Sequence, residues 1–305
     1  MLLPALLSIF ANSMLPIFAI AAVGFWLARS LKVDVKAVSR IIFSVLSPCL
    51  VFNALVTAQL SAAEFGRMAL FAVAMMLIAG ALAWLSSRVL RLDRPTTSAM
   101  VALGMFANAG NYGLPLVLFA FGQEAMARAT VYYVMQLILT YSLGIMIMSS
   151  SRSSPGDAVL SMLRVPHFYA ILAAFAFVAS KAAVPQLLLR PVGLLSGAAL
   201  PMMILLLGMQ LERAAMPERP VLVGLVTAFR LAVLPVLALG LAAAMGLTGV
   251  ERQAAVIEAS MPAAVIITVL AVEYQAAPIF ANAVVFASTV LSPLTLTLLI
   301  AFLQS

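Results

Sequence analysis

Hydrophobic residues gather into ten long runs, at positions 5–28, 38–58, 67–90, 97–121, 127–149, 166–184, 189–210, 220–246, 252–274 and 278–303. Each is roughly 18–25 residues, the length a helix needs to cross a hydrocarbon core about 30 Å thick. Most are apolar around the whole helix rather than along one stripe, as suits lipid or the inside of a membrane bundle. The pattern predicts an all-α integral membrane protein with ten transmembrane helices. No Lys or Arg precedes the first run, and its apolar stretch is too long for a signal peptide, so it is read as a span.

The fourth run is interrupted. Phe106-Ala-Asn108-Ala-Gly110-Asn111-Tyr112-Gly113-Leu-Pro115 places two amides, two glycines and a proline in its middle. In hydrocarbon an unpaired backbone group costs several kcal/mol, so such a break survives only inside protein or beside a cavity. Proline lacks an N–H and displaces the carbonyl four residues earlier, so Pro115 is expected to free Asn111's carbonyl and Pro262, in the ninth run, that of Glu258. Gly110 and Gly113 would permit a sharper unwinding than proline alone. Each break should leave a new helix N-terminus, at about 112–116 and 262–266, whose free N–H groups suit a carboxylate.

The longest connection, Ser149 to Val165, is Ser-rich with Pro155 and Gly156, and it divides the chain into two five-span halves, 1–149 and 166–305, around a linker at 150–165. Three pairs of positions match between the halves. An offset of 153 lays Pro48 over Pro201, one of 155 lays Ala107-Asn108 over Pro262-Ala263, and one of 152 lays Gln123 over Gln275. Because five is odd, the second half must enter the membrane from the opposite side. The expectation is an inverted repeat with broken helices, spans four and nine, crossing near the midplane.

Composition narrows the class without changing it. The chain is 65% hydrophobic and 9% charged, far from the balance of soluble domains. Connections after odd spans carry eleven basic residues (Arg29, Lys32, Lys36, Arg40, Arg88, Arg91, Arg94, Arg152, Arg164, Arg213 and Arg219). Those after even spans carry five: Arg67, Arg128, Lys181, Arg190 and Arg252. The positive-inside rule then puts the odd connections and the linker in the cytoplasm and both termini outside, periplasmic for a cell inner membrane. The net charge of +7 follows mainly from this arrangement, and the scattered basic residues make no nucleic-acid patch. The lone Cys49 cannot form an internal disulfide. His167, at the edge of an apolar run, reads as interfacial. No metal-ligand cluster, nucleotide loop or nucleophile elbow is present, so no cofactor and no metal are expected.

Two charges fall inside spans, Glu258 one turn before the span-nine break and Arg230 in span eight. Intramembrane charges face a cavity or pair with something. Glu258 could bind a proton or cation that couples transport, Arg230 could meet a substrate carboxylate, or the two could neutralise each other or the exposed helix ends. Among the other polar residues in spans, Tyr133 and Gln136 of span five stand out as candidates near the break, while the 18 dispersed methionines read as core filling.

The stretches Asn108-Ala-Gly-Asn-Tyr-Gly-Leu-Pro115-Leu, Glu258-Ala-Ser-Met-Pro262 through Ala271-Val-Glu-Tyr274, Leu46-Ser-Pro48 with Phe52-Asn53, and Ser288-Thr289-Val-Leu-Ser292-Pro293 resemble the auxin efflux carrier family across essentially the whole chain. That family includes plant auxin exporters and bacterial carriers of malate- and malonate-like dicarboxylates. The resemblance implies a scaffold of spans one, two, six and seven that usually dimerises, giving a homodimer. It also implies a transport domain of spans three to five and eight to ten, with substrate beside the crossing of spans four and nine. Asn108 and the Pro262 region would then line the site, with Gly110, Asn111, Tyr112, Gly113 and Pro115 around the break and Asn53 facing it from the scaffold. Ala107 stands where plant members have proline, and the long regulatory loop of many plant members is absent, as in a compact prokaryotic form.

The sequence thus predicts a secondary transporter, not an enzyme, that moves a small organic anion such as malate, malonate or an auxin-like acid by alternating access, with a proton or sodium as possible partner. A sodium-coupled carrier of the bile-acid type has a similar crossed-helix architecture and stands as the alternative. A membrane-embedded enzyme or receptor is the alternative of another class, although no clustered nucleophile, metal-ligand set or signalling domain accompanies it.

Overall fold

The computed structural model describes residues 2–58, 60–149, 163, 165–212 and 218–304. Its helices in chain order are α1 (Leu3–Ser30), α2 (Val35–Thr57), α3 (Ala62–Val89), α4 (Arg94–Met105), α5 (Ala109–Met148), α6 (Pro166–Ser180), α7 (Gln186–Leu211), α8 (Pro220–Ala244), α9 (Gly249–Ser260), α10 (Ile266–Glu273) and α11 (Pro278–Gln304). Seven of these are long and apolar enough to cross a membrane: α1, α2, α3, α5, α7, α8 and α11. The chain is an integral membrane helical protein. Most of the expected linker at 150–165 lies outside the described residues.

Helix α5 takes in the second part of the expected fourth span and nearly all of the fifth, while α4 holds the first part of the fourth. Within it Gly122 takes φ 82° and ψ −172°, a backbone conformation open in practice only to glycine, and the chain reverses there. Ser61 begins α3 with a reciprocal cap: its hydroxyl accepts from the Glu64 N–H, and the Glu64 carboxylate accepts from the Ser61 N–H. Arg128 of α5 also reaches Glu64, at 2.6 Å, and Arg67 pairs with Glu251 of α9 at 3.0 Å. These two ion pairs tie α3, α5 and α9 together at one end. Arg219 and Asp93 pair at 3.3 Å at the other, joining the starts of α4 and α8.

Four prolines shape the helices in one way. Pro16, Pro48, Pro115 and Pro235 each sit two residues beyond a widened turn, at Phe10–Met14, Ile42–Leu46, Ala109–Gly113 and Phe229–Val233. The residue before each proline donates its N–H five residues back: Leu15 to Phe10, Ser47 to Ile42, Leu114 to Ala109, Leu234 to Phe229. The ring would strike the carbonyl four residues earlier, and one extra residue in the turn moves that carbonyl aside. Pro191, Pro201 and Pro293 lie inside helices without such a turn.

Helices α1 and α7 approach until their backbones touch. A Cβ on Gly24 would collide with the Leu205 carbonyl, and one on Gly208 with the Ala21 carbonyl. In lipid, where apolar burial supplies little drive for association, small residues that admit such contact are what hold helices together. Helix α2 packs on α7 as well, and α6 packs on α2. Replacing Gly208 by Ala should therefore cost about 1–3 kcal/mol through overpacking. The measurement is the thermal unfolding midpoint in detergent, with Gly197→Ala as control, because a Cβ there meets nothing. Equal midpoints for the two variants would contradict the tight α1–α7 contact.

Candidate functional site

The two interrupted segments meet. Helix α4 stops at Met105, α9 stops at Ser260, and the stretches that follow lie antiparallel with Ala107 opposite Ala263. The Asn108 N–H donates to the Pro262 carbonyl at 2.8 Å, and the Ala264 N–H to the Phe106 carbonyl at 3.0 Å. Among the described residues this is the one extended pairing. The paired residues are 156 positions apart, one more than the offset expected from the sequence.

Side chains satisfy what the pairing leaves over. Gln136 of α5 holds both backbone polar groups of one residue: its Oε1 accepts from the Ala107 N–H at 3.0 Å, and its Nε2 donates to the Ala107 carbonyl at 2.6 Å. Ser288 of α11 accepts from the Ala263 N–H at 3.2 Å. Arg230, only 1% exposed, donates from Nε to the Met261 carbonyl at 2.8 Å, from Nη1 to Gly104 at 2.8 Å and from Nη2 to Ala259 at 3.3 Å. The usual donor to Gly104 would be the Asn108 N–H, and that to Ala259 the Ala263 N–H. Both are committed elsewhere, so the guanidinium takes their place. One cation thus serves the C-terminal ends of both interrupted helices, the ends at which positive charge is favourable.

Glu258, 0% exposed, is placed otherwise. It lies in the last turn of α9, and its carboxyl rests against Gly113 at the start of α5, where a Cβ would stand 2.5 Å from Oε2. Neither carboxyl oxygen has a hydrogen-bond partner, and among the described residues no ion pair joins Glu258 to Arg230. The Asn108 Nδ2, in a side chain 5% exposed, is also unpartnered. A buried polar group without a partner is costly and marks a place where a proton, an ion or a polar ligand can be taken up.

The expected site residues separate into those at the crossing and those beside it. Asn108, Gly110, Gly113, Pro262, Gln136, Glu258 and Arg230 gather at the break, and Tyr133 covers it, its ring 2.6 Å from where a Gly110 Cβ would be. Tyr112 turns away, with its hydroxyl 3.5 Å from Met14 Sδ of α1 and 3.4 Å from Ser292 Oγ. Asn111 is half-buried, and Pro115 sits in the first turn of the resumed α-helix. Asn53 lies off the crossing, in a cavity of about 420 Å³ with Thr57, Gln123, Glu124, Arg128 and Ser196.

Several details differ from the expectation. The first helix ends and the second begins earlier than the prolines suggested, because the chain leaves the helix at Phe106, which is extended, and the wide turn starts at Ala109. Gly110 and Gly113 have ordinary negative φ; their missing side chains make room for Tyr133 and Glu258 rather than freeing the backbone. Arg230 meets helix ends, which was one of the readings left open. His167 is not interfacial: it is buried, with Nε2 2.7 Å from Ser47 Oγ. Ser47 and Ser288 were not singled out as site residues, although both fell in motifs that carried the resemblance. No group of three or more His, Cys, Asp or Glu gathers among the described residues.

Substituting Leu for Gln136 would strand the N–H and the carbonyl of Ala107, a loss of about 1–3 kcal/mol for each buried group. Gln136→Glu, which can still accept from the N–H, should lose less. Thermal midpoints of the two variants test this, and Leu equal to Glu would mean the side chain does not hold the backbone of Ala107.

Comparison with known proteins follows the same lines. The family described as membrane transport protein matches the chain over residues 9–156 and 154–300. An uncharacterized transporter of Methanothermobacter thermautotrophicus is 28% identical over 272 residues, 87% of this chain and 88% of that protein. An uncharacterized transporter of Methanocaldococcus jannaschii is 26% identical over 207 residues, 65% of this chain and 66% of that protein. With both halves matched and its relatives named transporters, the chain belongs to the membrane transport protein family, the auxin efflux carriers.

Proposed function

We propose that the protein is a secondary carrier of a small organic anion, binding it at the crossing and exposing it to each side of the membrane in turn. The observation that carries this reading is the pair of orphaned groups, Asn108 Nδ2 and the Glu258 carboxyl, beside two helix breaks joined peptide to peptide. A substrate carboxylate can accept from the Asn108 amide and from the N–H groups that open α5.

The division of labour follows the packing. Helices α1, α2, α6 and α7 form the scaffold, through which two copies associate; α3, α4, α5, α8, α9, α10 and α11 form the moving bundle. In support, α1 and α7 are locked together at Gly24 and Gly208, whereas ion pairs join α3 to α5 and α9. Ten spans arranged as an inverted repeat fit the symmetry of the crossing. Each broken stretch is held by a side chain from the span after it, Gln136 for one and Ser288 for the other. The basic connections then face the cytoplasm and both termini the periplasm.

Glu258 is the coupling group. Its unpartnered oxygens suit a proton, which is the reading we favour; the same oxygens suit sodium, which is the bile-acid-type alternative. A thermal-shift screen of monocarboxylates, dicarboxylates and indole acids finds the substrate, and flux into proteoliposomes then tests the site. Asn108→Ala should reduce flux to background while the thermal midpoint stays near that of the parent. Glu258→Gln should leave exchange between the two sides but abolish uptake driven by a proton gradient. Normal flux in Asn108→Ala moves the site away from the crossing, and uptake driven by sodium but not protons replaces the coupling ion.

A further inference from the structure

Three polar side chains from three helices form a chain of hydrogen bonds beside the crossing. Ser47 of α2 is bonded to the Tyr133 hydroxyl of α5 at 3.0 Å, and His167 Nε2 of α6 to the same Ser47 oxygen at 2.7 Å. All three residues are buried. Phe43 of α2 packs against the imidazole at 4.9 Å between ring centroids, and Tyr133 meets it edge-on at 6.0 Å. Ser47 directly precedes Pro48, at the end of the widened turn of α2, so its hydroxyl is set by a distortion that the proline imposes.

The chain lies between the cavity and the crossing. Asn53 and Thr57 of α2 and Gln123 and Arg128 of α5 line the cavity. Leu50, which also lines the cavity, is three residues from Ser47 along α2, about 4.5 Å of helix. On the far side of the Ser47–Tyr133 bond the Tyr133 ring rests on Gly110, next to Asn108. The α2–α5 seam is therefore open at the cavity and bonded shut about one turn deeper.

We propose that His167, Ser47 and Tyr133 form a latch that holds α5 against α2 and closes the way from this cavity to the crossing. The assignment of α2 and α6 to one bundle and α5 to the other rests on the proposed function; the closure does not. When α5 moves, the Ser47–Tyr133 bond is the one that breaks. His167 stays with Ser47 and keeps its hydroxyl aimed for the return, which makes His167 a positioning residue.

The test is alkylation by a small charged thiol reagent, in detergent, of a cysteine placed by Asn108→Cys in a Cys49→Ser background. Ser47→Ala and Tyr133→Phe should each raise the alkylation rate about fivefold to tenfold, the effect of one buried hydrogen bond on an opening equilibrium. The double variant should react no faster than the faster single one, because both remove the same bond. His167→Ala should raise the rate less, and His167→Gln, whose amide can reach Ser47, should restore it. Rates within about twofold of the parent for both hydroxyl variants, or additive effects, overturn the latch. Thermal midpoints accompany each rate; should Ser47→Ala unfold, Tyr133→Phe decides, since it deletes one oxygen from the same bond. Flux is read separately in the parent chain, which keeps Asn108: altered alkylation with no tested anion moved by the parent sinks the carrier reading and leaves the latch, and unchanged alkylation with anion flux in the parent does the reverse.

Discussion

Peptide groups in hydrocarbon must find partners within the protein, and two helices here stop deep inside it, at Met105 and Ser260. Every feature of the crossing answers that constraint. The two extended stretches pair with each other through Asn108, Pro262, Ala264 and Phe106, Gln136 and Ser288 take the amides between, and Arg230 takes three of the carbonyls at the helix ends. An arginine buried in a membrane bundle is usually an expense to be explained by a ligand. Here it replaces donors that the broken helices withdrew, so its charge is already answered by protein dipoles. The carboxyl of Glu258 is not answered in this way, and that difference separates the structural charge from the functional candidate.

The prolines act through the same constraint at smaller scale. Each widened turn accommodates a residue that cannot donate, and two of them place a polar side chain at or beside the crossing: Ser47 before Pro48 and Arg230 before Pro235. A regular α-helix would present these positions roughly a third of a turn elsewhere. Local distortion and site geometry therefore have one cause, and a proline that seemed to mark only a kink also sets the direction of its neighbours.

Much of this was legible in the chain because breaks in apolar runs are rare and conspicuous. Asn108, Pro262, Gln136, Glu258 and Arg230 could be picked out as polar or helix-breaking residues inside spans, and the structure brings them together. The remainder depended on tertiary geometry. Nothing in the local sequence tells whether Gly110 serves a turn or a neighbour's ring, and only packing shows that it makes room for Tyr133. His167 stands at the edge of an apolar run, where an interfacial place is the natural inference, yet α6 inserts it against Ser47. Asn53 shares a helix with Ser47 but faces a cavity nearer the end. Residues on one helix at different depths look alike in sequence.

On the proposed reading, the electrostatics of the crossing tie anion and proton together. The start of α5 offers positive partial charge, and the carboxyl of Glu258 lies against that same turn at Gly113. An ionised Glu258 and a substrate carboxylate would compete for it and repel each other at short range, in surroundings that screen poorly. A proton on Glu258 removes the repulsion, so the protonated carrier takes the anion more tightly. Linkage makes the effect reciprocal: the bound anion tightens the hold on the proton by the same factor. Arg230 cannot undo the coupling by pairing with either partner, because Gly104, Ala259 and Met261 already occupy its three nitrogens. Keeping the cation committed to the backbone is what leaves the carboxyl free to be answered by a ligand.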